Sequence, residues 1–177
     1  MGTSEFDDAY DDEDESALAR EARRLGEGIL GSSVRDLEPR AAVCVAEETP
    51  VREAIRLMVE NRIGALLVVQ DGRAVGIFTE RDVLRRVALS GNDLSRPVRE
   101  VMTEDPETLG PDDAIAYALN KMIVGGYRHL PIVDPAGGPL AVLSLREVVS
   151  HIVELLPGRV LNLPPHPQLE AHSPDGG

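Results

Sequence analysis

Residues 62–87, RIGALLVVQDGRAVGIFTERDVLRRV, and residues 125–149, GGYRHLPIVDPAGGPLAVLSLREVV, carry one pattern twice. At a spacing of 64 residues Leu66 meets Leu130 and Val69 meets Val133. One extra residue in the second turn, DPAGGP at 134–139, widens the spacing to 65. Beyond it Ile77 meets Val142, Thr79 meets Ser144, Arg81 meets Arg146, and Asp82 meets Glu147. Upstream, Met58 meets Met122, Ala54 meets Ala118, Val45 meets Leu109, and VRDL at 34–37 meets VREV at 98–101. Register held over so long a stretch marks a tandem repeat.

Each copy reads as β-α-β-β-α. A short apolar stretch, AAVCV at 41–45 or ETL at 107–109, comes first. Thr49-Pro50 then reads as an N-cap followed by a first-turn proline, and Asp112-Asp113 takes the capping part in the second copy. Ala54, Ile55, Met58 and Val59 recur at helical spacing, as do Ile115, Ala118, Leu119 and Met122. ALLVV and AVGIF follow as strands joined by Asp71-Gly72, a hairpin signal; HLPIV and LAVLS are their copies. ERDVLRRVAL and LREVVSHIVEL close the two units as helices. One unit of about fifty residues is too small to bury an adequate core. The expected fold class is therefore α/β (α+β), with two β-α-β-β-α repeats packed as an intramolecular pseudo-twofold pair. Clefts are expected at the seam.

The repeats are placed at 34–97 and 98–156. Residues 1–16 hold eight acids and no base, and read as disordered. SALAREARRLGEGIL suggests a short helix and linker over 17–33. The proline-rich residues 157–177 read as an extended, mobile tail. Of the formal net charge of -13, the first sixteen residues supply -8; the remainder has 23 acids against 18 bases. That balance argues against a nucleic-acid partner. One cysteine allows no internal disulfide, no apolar run reaches the roughly 18 residues of a membrane span, and no signal peptide is evident. The expected location is the cytoplasm.

The two stretches quoted first, with the hydrophobic-x-Thr/Ser-x-x-Asp strand end, the RHLPIVD run at 128–134 and the VMT linker at 101–103, resemble the CBS domain, named after cystathionine β-synthase. The resemblance covers about residues 34–155. It implies a non-enzymatic regulatory module, free-standing here, that binds an adenosine-containing ligand such as AMP, ADP, ATP or S-adenosylmethionine. The adenine nucleotide is implied as a regulatory ligand, with no obligatory cofactor. A homodimeric four-domain disc and an unidentified effector protein are implied as partners. The alternative is a purely structural dimerisation or interaction module with no small-molecule ligand.

The motif chemistry suits a nucleotide. A helix N-terminus offers free N–H groups and about half a positive charge. Thr79 could donate to a phosphate, Asp82 could accept from a ribose diol, and Arg81 or Arg146 could neutralise phosphate. The adenine would read backbone groups near Gly64 and Ala65. In the second copy Ser144 keeps the hydroxyl, but Glu147 replaces Asp; the extra methylene weakens a ribose grip, so the first copy reads as the better site. Arg128 and His129 bring charge and a donor to the seam. Thr-x-x-Asp and Ser-x-x-Glu are equally capping-box patterns, worth about 1 kcal/mol with no ligand. Arg128 could equally form a surface salt bridge, and His129 reads as a half-buried structural imidazole. Asp82→Ala is expected to remove stabilisation by a nucleotide. No catalytic residues and no metal site are expected: no nucleophile–base pair converges, and the four histidines lack zinc spacing. Cys44 reads as a buried small hydrophobe.

Overall fold

The computed structural model describes residues 26–28, 31–91 and 93–155. The tails at 1–16 and 157–177, and residues 17–25 of the expected helix and linker over 17–33, lie outside the described residues. The first repeat contains β1 (Cys44–Ala46), α1 (Val51–Asn61), β2 (Ala65–Gln70), β3 (Arg73–Thr79) and the one-turn α2 (Glu80–Asp82). The chain continues from α2 as a π-helical turn, Val83–Val87, and a 3-10 turn, Ala88–Ser90. The second repeat contains β4 (Thr103–Glu104), α3 (Ile115–Gly125), β5 (His129–Val133), β6 (Pro139–Ser144) and α4 (Leu145–Glu154). Each repeat opens on a 3-10 turn, Val34–Leu37 and Val98–Glu100.

The hairpins form in matching register. Ala65 pairs with Thr79 in β2–β3, and His129 pairs with Ser144 in β5–β6. Asp71 and Gly72 both have positive φ, 49° and 78°, as a type I′ turn requires. Each hairpin is bulged at the same place, between Val68 and Val69 and between Ile132 and Val133. β1 runs parallel to β2, with Cys44 against Leu67.

The leading segment of each repeat crosses to the other. Ala41 bridges Ala141 on β6 before the chain joins β2 as β1. Likewise β4 pairs with β3, Ile77 against Thr103, before Leu109 bridges Ile132 on β5. The buried cores follow this exchange. Val98, Val101 and Met102 pack with Met58, Leu66 and Phe78 of the first repeat. Val34 packs with Leu109, Met122, Leu130 and Leu143 of the second. A third cluster at the seam joins Ala65, Leu67 and Ile77 to Ala42, Ala74 and Val142.

The same exchange corrects two sequence expectations. Thr49 does not cap α1; Pro50 holds the N-cap position without a side-chain bond, and Ala114 does so for α3. Backbone carbonyls from the crossing segments satisfy the first-turn N–H groups instead. Val51 N donates to Arg96 O at 3.0 Å and Ile115 N to Ser32 O at 3.0 Å. Asp113 is drawn away to accept from Gly110 N at 2.9 Å. Cys44, expected to be buried, is exposed. β1 alternates, and only Val45 of its three residues turns inward.

Candidate functional site

Both strand-to-helix junctions are closed capping boxes. Asp82 Oδ2 accepts from Thr79 N at 3.0 Å and from Thr79 Oγ1 at 2.7 Å. Glu147 Oε2 accepts from Ser144 N and Ser144 Oγ, each at 2.7 Å. The longer glutamate therefore closes the same box as aspartate. The two carboxylates differ in their outer oxygens. Asp82 is buried, and its Oδ1 lies 3.5 Å from Arg86 Nε. Arg86 also donates to the carbonyls of Val101 and Met102, tying this junction to the linker. Glu147 Oε1 has no such partner among the described residues.

A cleft of about 990 Å3 opens at the seam beside the second junction. Its volume lies at the upper end of the roughly 300–1,000 Å3 of small-molecule sites. One wall is the strand-like segment Arg40–Val43; another is the C-terminal half of α1, with Ile55, Met58, Val59 and Arg62. Glu80, Val83 and Leu84 form the facing wall, and the π-helical widening after α2 supplies the last two. The floor carries Gly64, Ala65 and His129, and β6 and α4 contribute Val142, Ser144, Arg146 and Glu147. Apolar side chains and charged or hydroxyl groups line it together, a mix that fits an aromatic base joined to a sugar and an anion.

Six expected residues come together in this cleft: Gly64, Ala65, His129, Ser144, Arg146 and Glu147. Thr79, Arg81, Asp82 and Arg128 are not among its lining. Arg81 Nη1 donates to Gly126 O at 3.0 Å across the seam. Arg128 is exposed, and its carbonyl accepts from Leu145 N at 2.8 Å. The Gly64 carbonyl, expected to face adenine, is already taken by Glu80 N at 3.1 Å. Gly64 has a steric role as well. A Cβ there would stand 3.0 Å from His129 Cε1 and 3.1 Å from Nε2. His129 is half-buried, and desolvation holds its pKa below the usual imidazole value despite the nearby Glu80 and Glu147 carboxylates. Burial thus favours its neutral form.

Arg40 and Arg62 were not singled out by sequence reasoning. Arg40 Nη1 donates to Asn61 O at 3.0 Å, and Arg62 caps α1 in a left-handed conformation, φ 54°. The legible signal was their position: each flanks an apolar stretch that enters the seam. Among the described residues no group of three or more metal-ligating side chains could hold an ion, and no helix is long and apolar enough to cross a membrane.

Two β-α-β-β-α units whose leading segments cross around a seam cleft define a tandem α+β module. The chain belongs to the CBS domain family, whose model matches residues 34–89 and 98–154. A 17.7 kDa protein from the bps2 3′ region of Acidianus ambivalens is 30% identical over 127 residues, covering 71% of this chain and 76% of its own. CBS domain-containing protein CBSCBSPB5 of Arabidopsis thaliana is 33% identical over 132 residues, covering 73% of this chain; the chain spans 23% of that relative's length. Among solved structures, the CBS domain protein PAE2072 of Pyrobaculum aerophilum, complexed with AMP, superposes with a TM-score of 0.62 at 26% identity. That match covers 70% of this chain and 99% of the other.

Proposed function

We propose that this chain is a non-enzymatic regulatory module that binds an adenosine-containing ligand in the seam cleft. The observation that carries the reading is the cleft itself, lined by apolar side chains together with Ser144, Arg146 and Glu147. The AMP complex of PAE2072 supports it by fold and family. The base would enter between the Arg40–Val43 strand and α1, where no aromatic side chain is needed. Glu147 Oε1 would accept from the ribose, and the Ser144 hydroxyl would turn to the phosphate. Thr79, Arg81, Asp82 and Arg128 stand at the pseudo-twofold counterpart, where internal bonds already engage Asp82 and Arg81.

Signalling would proceed by population shift, because a ligand touching both repeats favours one relative orientation. A second copy of the chain is the proposed reader, with an effector protein beyond it. Val59 and Ile123 occupy equivalent places on α1 and α3 and are 71% and 70% exposed, and Leu84 and Val149 are likewise equivalent and exposed. Such paired apolar faces suit burial against a twin surface. Val59 and Leu84 also line the cleft, so ligand and dimer would share a wall. Light scattering is expected to give twice the 19.1 kDa chain mass, and Ile123→Glu to halve it; a wild-type monomer at micromolar concentration removes the dimer from the account. The proposed compartment is the cytoplasm.

A thermal-shift panel of AMP, ADP, ATP, S-adenosylmethionine and NAD tests the reading. At least one adenosine ligand is expected to raise the melting temperature by a few degrees at millimolar concentration, since ligand at about 100 times its Kd adds roughly 2.7 kcal/mol. A flat response across the panel refutes it.

A further inference from the structure

We infer that the seam cleft takes one nucleoside polyphosphate per chain, with Arg40, Arg62 and Arg146 facing its phosphates. The inference rests on the reading of the cleft as an adenosine site and adds its charge class and its stoichiometry. Three guanidiniums line the cleft against two carboxylates, Glu80 and Glu147. Among the described residues the Arg62 and Arg146 side chains have neither a hydrogen bond nor an ion pair, and Arg40 spends one donor on Asn61 O. Guanidinium is the side chain best shaped for bidentate contact with phosphate oxygens. A single phosphate would be met by the Ser144 hydroxyl, the Arg146 amide and one guanidinium, since Leu145 N and Glu147 N are already bonded to Arg128 O and Ser144 Oγ. Two guanidiniums then remain for further phosphates. A sulfonium ligand such as S-adenosylmethionine would bring positive charge to the same place.

The pseudo-twofold counterpart has an exposed guanidinium, Arg128, but no match for Arg40 or Arg62. Gly126 stands where Arg62 stands, each the left-handed residue that ends its helix. Arg40 is followed by small apolar residues, whereas the corresponding stretch 104–107 carries Glu104, Asp105 and Glu107, with Glu104 at the Arg40 position. Glu107 engages Lys121, and Arg81, the counterpart of Arg146, is bonded to Gly126 O. The counterpart thus carries four carboxylates, Asp82, Glu104, Asp105 and Glu107, against Arg81 and Arg128, a balance that disfavours a polyanion.

Isothermal titration of the full chain with ATP, AMP and S-adenosylmethionine, without divalent cation, tests this. One site per chain is expected, with ATP binding roughly tenfold or more tighter than AMP. Arg62→Ala and Arg146→Ala should each erase most of that preference while AMP affinity stays within about threefold. Arg81→Ala should leave ATP affinity unchanged. Equal affinities for AMP and ATP, tighter binding of S-adenosylmethionine, or two equivalent sites per chain overturn the inference and leave the adenosine reading standing. No binding of any of the three overturns both.

Discussion

A chain cut after residue 97 is expected to give two pieces, neither of which unfolds cooperatively alone. The first piece keeps α1, β2 and β3 but loses Val98, Val101 and Met102, which are buried against Met58, Leu66 and Phe78. It also loses the Arg96 carbonyl's structural setting, because Val98 N donates to Thr49 O at 2.8 Å and so pins the capping segment to α1. The second piece loses Val34 from its core and the Ser32 carbonyl from the start of α3. Emptying a core position of one large aliphatic side chain costs about 2–5 kcal/mol. Three such positions in the first piece cost about 6–15 kcal/mol together, as much as the roughly 5–15 kcal/mol by which a domain is stable. Circular dichroism melts of the separate pieces check this. A sharp transition from residues 1–97 alone would show that the exchange of leading segments is dispensable.

The second large effect separates the two junctions. Asp82→Ala is expected to cost roughly 2–3 kcal/mol, because it opens a capping box and strips Arg86 of its carboxylate. The melting temperature should fall by several degrees, yet the increment from ATP should persist. Glu147→Ala opens only the box, at about 1 kcal/mol, and should lower ATP affinity by about tenfold or more. The difference lies in the outer oxygens: Asp82 Oδ1 is held by Arg86, whereas Glu147 Oε1 has no partner among the described residues. Denaturant melts with and without ATP read both quantities. Loss of the ATP increment in Asp82→Ala, with its retention in Glu147→Ala, would place the ligand at the first junction instead.

The repeat, the element order and the Asp71-Gly72 turn were legible because periodicity and turn chemistry are local. The exchange of leading segments was not. Val34 and Val98 are apolar at equivalent positions, so their pattern is satisfied by packing at home or across the seam; only three-dimensional closure decides. Nor did residue type reveal which junction faces the large cleft. Asp82 reads as the better ribose acceptor by length, and what length does not reveal is that its second oxygen lies 3.5 Å from Arg86 Nε, one helical turn on. Arg40 and Arg62 lie 22 residues apart in the sequence and meet in one cleft because the first segment crosses to β6 beside the end of α1.

The most direct measurement is a crystal structure of the full chain grown with ATP. The account expects one nucleotide per chain between the Arg40–Val43 strand and α1, its ribose at Glu147 and its phosphates against Arg62 and Arg146. A nucleotide seated at Thr79–Asp82, or on the outer surface with the cleft unoccupied, would contradict it.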